Sequence, residues 1–250
     1  MNEKHLITLK ELQDSKLYIR NGVTFQQPSG LVNQFFEAVR YEDSDALTIE
    51  YQNPVLNINE DDNTENVAYP RFKVEVNKGS VEFGDYANVF GMMIAMDQQS
   101  PIVKVYSGMN VQACLNLSVF GKAYISEQNL LSSLDSAIET AKTFYQNNEM
   151  KINHYADVHE RLIKKVFDEE ALNRQLGKML RRTMGTKLGT SPIVGAAKLI
   201  ETRTSEYSIN EDGSITAYKL YNAITQIITD SKDLLYKPEK SYTAANLVLN

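Results

Sequence analysis

Arg174, Lys178, Arg181 and Arg182 stand at i, i+4, i+7 and i+8 within NRQLGKMLRRTMGTKLGT, the most basic passage of the chain, with Lys187 shortly after. On a helix that spacing lines the four cations along one face. A row of guanidinium and ammonium groups suits the binding of phosphate oxygens through charge-assisted hydrogen bonds, each contact releasing counterions condensed on a polyanion. Leu172, Leu176, Met179 and Leu180 repeat at the same intervals two residues earlier. Two residues turn a helix by about 200°, so the pattern predicts an apolar stripe on one side and a cationic ridge on the other. Asp168, Glu169 and Glu170 supply a cap and an acidic first turn. Residues 161–187 hold eight Lys and Arg against three Asp and Glu, and Lys164 and Lys165 would extend the track. The alternative is a solvated helix face whose cations pair with the acidic remainder of the molecule.

Other chemistries fit less well. A phosphate-binding P-loop needs its lysine after the second glycine, whereas Lys187 falls between Gly185 and Gly189. That segment reads as a helix end followed by a loop that Pro192 stops. His154 and His159 are five residues apart, about 140° round a helix, so they face apart rather than sharing a metal. Asp157 and Arg161 are spaced for an ion pair instead. Asp61, Asp62, Asn63 and Glu65 invite calcium, but a loop starting at Asp61 has Asn66 and Phe72 where glycine and glutamate are required. An acidic loop over 59–66 is expected there. Cys114 is the one cysteine, which leaves no intramolecular disulfide and no cysteine-rich zinc cluster. It lies in an alternating strand with no adjacent base to form a thiolate. Met92, Met93 and Met96 read as core fillers, and Asp43 and Asp45 depend on the fold. No catalytic residue, metal or cofactor is assigned, and the reading leans away from an enzyme.

These side chains need a scaffold, and 250 residues are enough to bury a core. Apolar and charged fractions of 42% and 23% are ordinary for a globular protein. No apolar run reaches the roughly 20 residues of a membrane span, and MNEKHLITLKELQDSK has no apolar leader core. A cytoplasmic protein is expected, without membrane association. Net charge is −6, unevenly spread: residues 1–150 hold 11 Lys and Arg against 20 Asp and Glu, and residues 151–250 hold 15 against 12. A polyanion site belongs in the second part, while the acidic first part suits a basic protein partner.

Residues 5–20 alternate weakly, as a short strand or helix. Ser29 is placed to cap a helix over 30–41, with Leu31, Phe35, Ala38 and Val39 on its buried face. Residues 46–58 look extended. RFKVEV and SVEF flank Asn77-Lys78-Gly79, which predicts a hairpin. Strands are expected over 102–106 and 111–120, joined at Ser107-Gly108, then a long helix over 127–147 with Leu130, Leu134, Ile138, Ala141 and Phe144 buried. Strands followed by helices, without alternation, predict an α+β fold: an antiparallel meander packed on a long helix, then a mainly helical C-terminal part. An acidic, β-rich part over 1–126 and a helical, locally basic part over 127–250 are expected to form one continuous globular unit.

In GSITAYKLYNAITQIITD, Asp212-Gly213-Ser214 reads as a turn and cap, and Leu220, Ile224, Ile227, Ile228 and Leu235 mark one face of a helix near 215–235. Tyr221-Asn222-Ala223-Ile224-Thr225 resembles a signature of a phage- and plasmid-borne family of unknown function, in which an aromatic-rich C-terminal helix carries Asn-Ala-Val/Ile-Thr. The upstream VYSGMNVQACLNLSVFG is similar in layout to a strand pair of that family, whose Cys-x-Asn-Gly-like segment is not intact here. The resemblance implies a mobile-element protein acting in an infected bacterium's cytoplasm, with no assigned chemistry, and singles out Asn222 and Thr225. Charge and resemblance together point to a non-enzymatic protein that binds DNA or RNA, as in single-strand binding or annealing, through Arg174, Lys178, Arg181, Arg182 and Lys187. The competing expectation is an interaction factor that meets a host or phage protein through its acidic N-terminal part. Oligomeric state is left open.

Overall fold

The computed structural model describes residues 4–14, 28–41, 46–52, 71–80, 86–95, 101–111, 116–202, 207, 209–231 and 233–250. Strands β1 (Lys4–Leu6), β2 (Ala46–Gln52), β3 (Arg71–Ser80), β4 (Tyr86–Ala95) and β5 (Ile102–Val111) lie side by side in chain order. Both β6 (Leu117–Ser118) and β7 (Ile125–Asn129) pair with β5. The β1–β2, β2–β3, β5–β6 and β5–β7 pairs are antiparallel. Helices α1 (Leu9–Asp14) and α2 (Pro28–Ala38) fall among the strands, and α3 (Leu130–Gln146) and α4 (Asn148–Lys164) follow them. The chain then runs through β8 (Val166–Phe167), α5 (Glu169–Thr183), α6 (Ser191–Glu201), β9 (Ile215–Thr216), α7 (Ala217–Asp230) and α8 (Lys237–Leu249). The class is α+β, as strands followed by helices predict.

Packing divides the chain into two units: Met1–Gly79 with Asn88–Ser107 and Ile125–Gln146, and Ser80–Ala87 with Gly108–Tyr124 and Asn147–Asn250. This division follows contacts rather than composition, and α3 belongs with the strands. In the first unit, period-two alternation puts Phe72, Val74 and Val76 of β3 on one face with Val103 and Val105 of β5. That face packs on Leu31 and Phe35 of α2 and on Leu130, Ala137 and Ala141 of α3. The intervening β3 residues carry a buried ionic network. Lys73 Nζ lies 2.7 Å from Glu50 Oε1 and 2.9 Å from Glu75 Oε2, and Tyr106 donates to Glu75 Oε1 at 2.5 Å. Burial acts to lower the Lys73 pKa, but the Glu75 and Glu50 carboxylates together outweigh it and hold it above its ordinary value.

Several local expectations are corrected. The turn predicted at Asn77-Lys78-Gly79 is strand, because β3 pairs on through Asn77 with Ala46 and continues to Ser80; residues 81–83 lie outside the described residues. Ser107-Gly108 is likewise inside β5. A Cβ at Gly108 would stand 2.8 Å from the Ser118 carbonyl oxygen, so this glycine admits β6 rather than turning the chain. The long helix starts at Leu130, since residues 125–129 pair with β5. Leu134, Ile138 and Phe144 are only half-buried beside Leu130, Ala137 and Ala141. Proline opens α2 at Pro28, which makes Ser29 a helical residue and not its cap. Within 5–20, Thr8 caps α1 in a reciprocal box: Thr8 Oγ1 accepts from Glu11 N at 3.2 Å and Glu11 Oε2 from Thr8 N at 2.6 Å. Met92 and Met93 are buried as expected. Met96, Cys114, Asp43, Asp45 and residues 53–66 lie outside the described residues.

Gly91 provides a direct test of the first unit's packing. A Cβ there would come within 2.1 Å of the Tyr106 ring, which lies over the strand. Gly91→Ala is expected to destabilise the protein by about 1–3 kcal/mol through overpacking, read as a lower urea midpoint.

Candidate nucleic-acid interface

Helix α5 belongs to the second unit and is held at its N-terminal end and along one face. Before it, β8 pairs with β9 through Val166↔Thr216 and Phe167↔Ile215, and Ala217 N donates to Lys165 O at 2.7 Å. Asp168 caps it, Oδ1 accepting from Ala171 N at 2.7 Å. The buried residues of α5 are Leu172, Gln175, Met179 and Thr183. Leu176 and Leu180 are half-buried at the edge of the core, so the buried stripe is rotated from the all-leucine stripe expected. The reason is polar: Gln175 Nε2 donates to Leu247 O of α8 at 2.6 Å, which makes an amide more useful there than an apolar group.

Lys165 does not extend the ridge. Its Nζ donates to Val248 O and Leu249 O at 2.9 Å each, on the last turn of α8, where orphan carbonyls and the negative end of the helix dipole favour a cation. Burial first, then the Lys178 and Arg161 charges, lower its pKa. Lys164 is taken by Glu160 one turn back. That pair, and not Asp157–Arg161, is the ion pair of α4 among the described residues.

Arg174, Lys178, Arg181 and Arg182 are all exposed, with Arg174 and Arg181 on the side of α5 away from its buried stripe and Arg182 at the stripe's flank. Arg174 Nη1 stands 3.7 Å from Glu170 Oε1, with both side chains mostly in solvent; such a pair contributes about 0–1 kcal/mol. Lys178, Arg181 and Arg182 make no ion pair among the described residues. Two open hollows adjoin on this face. One of about 490 Å³ is lined by Glu170, Asn173, Arg174, Gly177, Lys178 and Arg181. The other, of about 250 Å³, is lined by Lys178, Arg181, Arg182 and Asn250. Lys178 and Arg181 are common to both. Gly177 costs the helix roughly 1 kcal/mol relative to alanine, yet a Cβ on it would meet nothing within 4 Å.

Lys187 is exposed but lines neither hollow; its Nζ lies 4.1 Å from the centre of the Tyr236 ring. The helix end followed by a loop is as expected: α5 ends at Thr183, and the loop stops where Pro192 enters the first turn of α6. Among the described residues no aromatic side chain lines either hollow. Tyr207 is buried with its hydroxyl on Gln226, Tyr221 is fully buried, and Tyr218 packs edge-on against Tyr86 and His159. The two histidines diverge as their spacing predicts: His159 Nδ1 is 3.1 Å from the buried Tyr86 hydroxyl, whereas His154 is exposed beside Tyr124. Gln175, Gly177 and Asn250 had no signal in sequence terms, because their roles depend on where α8 ends and which face of α5 stays open.

The Asp212–Ser214 turn forms, with Asp212 Oδ1 accepting from Ser214 N at 2.9 Å, but the cap of α7 is Thr216, whose Oγ1 accepts from Lys219 N. Tyr221, Ala223 and Ile224 are fully buried, and Thr225 donates to Asn222 O at 3.1 Å. Asn222 O also accepts from Asn116 Nδ2 at 3.4 Å. Among the acidic residues of the first part, Glu50 and Glu75 are committed to Lys73, and those of 42–45, 60–65, 82–85 and 97 lie outside the described residues. Among the described residues no helix is long and apolar enough to cross a membrane. Comparison with protein-family models, curated proteins and solved structures finds no match.

The cap sets where α5 begins. Asp168→Ala is expected to cost about 1 kcal/mol, and Asp168→Asn, which can still accept the Ala171 N–H bond, a smaller amount. Thermal midpoints of the two variants check this.

Proposed function

We propose that this protein is a non-enzymatic nucleic-acid-binding protein that grips the phosphate backbone with the exposed face of α5. The observation that carries the reading is that Lys178, Arg181 and Arg182 share one helix face, line adjoining hollows, and have no ion-pair partner among the described residues. A surface ridge serving only solubility has no need of that convergence. Guanidinium groups also match phosphate oxygens in forked geometry. The described lining of the hollows is charged and polar with no aromatic side chain, which supports backbone contact over base stacking, so sequence preference should be weak. Use as a single-strand or annealing factor, and a phage or mobile-element setting, belong to the same proposal. The second rests on the Tyr221–Thr225 resemblance.

Fluorescence anisotropy with labelled duplex and single-stranded DNA and RNA tests it. Three phosphate contacts give a slope of log affinity against log salt of about −2.7 for a duplex, or roughly 40-fold weaker binding at 200 mM than at 50 mM salt. Arg181→Glu with Arg182→Glu should lower affinity about tenfold or more at low salt, since two contacts become repulsive. Unchanged affinity in that double variant would remove α5 as the site. No binding by the unaltered protein at low salt would overturn the function and redirect the search to a protein partner.

A further inference from the structure

A glycine inside a helix, on an open face, does nothing for the helix itself. Gly91 and Gly108 each have a neighbour occupying the space a side chain would take, but Gly177 does not. Alanine there would form a better helix at no steric expense. Glycine is favoured where another molecule must approach the backbone closely. Gly177 has that setting: the larger hollow is made by residues seven, four and three before it and one and four after it, so the hollow is centred on bare helix. Glu170 occupies its N-terminal end and holds Arg174. Lys178 and Arg181 occupy the other end.

We infer that the hollow over Gly177 seats one phosphodiester of the bound backbone directly against α5, between Arg174 and Arg181 with Lys178 beside it. This rests on the reading of α5 as a backbone-binding helix. The helix backbone donates nothing to the phosphate, because its N–H groups are used in helix bonds. It provides room, so that the three side chains close on the phosphate oxygens from the flanks. A neighbouring phosphate of the same strand falls in the smaller hollow, where Lys178 and Arg181 are shared and Arg182 is added. A side chain at 177 would hold the strand away from the helix and lengthen every contact, without altering the charge of the ridge.

The test is Gly177→Gln, a neutral helix-forming substitution, beside Gly177→Ala and the Arg181→Glu, Arg182→Glu double variant, all titrated against a short labelled DNA duplex and the corresponding single strand. The expected result for both glycine variants is a higher thermal midpoint. Gly177→Gln should also weaken binding about tenfold and reduce the salt slope by about 0.7–0.9, the loss of one phosphate contact. Greater stability with weaker binding cannot come from misfolding. If Gly177→Gln binds like the unaltered protein while the double variant is weakened, the seat is wrong and the helix assignment stands. If neither variant changes affinity, both fall. A lower thermal midpoint for Gly177→Ala would mean that the fold itself requires the glycine, which also overturns the seat. Inorganic phosphate added at constant ionic strength separates the two sources of phosphate. Indifference supports a backbone seat, and displacement of the oligonucleotide by phosphate overturns it in favour of a lone anion.

Discussion

The arrangement of the second unit depends on one buried hydroxyl. Ser241 Oγ donates to Leu117 O at 2.8 Å, accepts from Val119 N at 3.0 Å and lies 2.8 Å from the Tyr221 hydroxyl. A serine hydroxyl has one proton and two lone pairs, so the first two bonds leave one lone pair and Tyr221 must be the donor. All of these groups are buried, and burial raises the Tyr221 pKa above its ordinary value. This hydroxyl joins α8 to the backbone around β6 and to α7. With α8 so placed, its final carbonyls fall at Gln175 and Lys165. Those three bonds, with the β8–β9 pair, fix the rotation of α5 and therefore which of its residues face water.

A row of like charges on a fixed helix is tolerable because water and salt screen it. Exposed charges interact weakly beyond a Debye length of about 8 Å at physiological ionic strength. The cation closest to burial behaves differently. Lys165, partly withdrawn from solvent and near Lys178 and Arg161, has a lowered pKa and is compensated by two helix-end carbonyls. Cations committed to the fold and cations left to solvent thus separate by exposure within one short stretch. Neighbours in sequence, Lys164 and Lys165, go to an acidic side chain and to α8 respectively.

The Tyr221–Thr225 segment has a sufficient explanation in packing. Tyr221 anchors Ser241, Ala223 and Ile224 fill the core, and Asn222 O receives two hydrogen bonds. A motif constrained this heavily by burial says more about how α7 is held than about what the protein binds. The first unit shows the same economy in its charges: Lys73 takes two carboxylates into the sheet, and those acids are no longer surface features.

What the sequence determined by itself was which elements form and roughly which faces they bury, as local periodicity and capping set them. The alternation of Phe72, Val74 and Val76, the stripe of α3, the acidic cap of α5 and the exposed row from Arg174 to Arg182 follow from the 2.0 and 3.6 residue repeats. The tertiary structure decided what depends on partners distant in the chain. Dipeptides that look like turns, at Asn77-Lys78 and Ser107-Gly108, lie within strands: β2 pairs with β3 as far as Asn77, and β5 runs on past Gly108 to pair with β6 at Met109 and Asn110. Gln175 displaces leucine from the buried stripe because the Leu247 carbonyl lies opposite. Lys165 leaves the ridge and Gly177 becomes its centre because of where α8 ends and which face stays uncovered. A side chain's periodicity is written in its neighbours along the chain, but its hydrogen-bond partner and its exposure are properties of the packed whole.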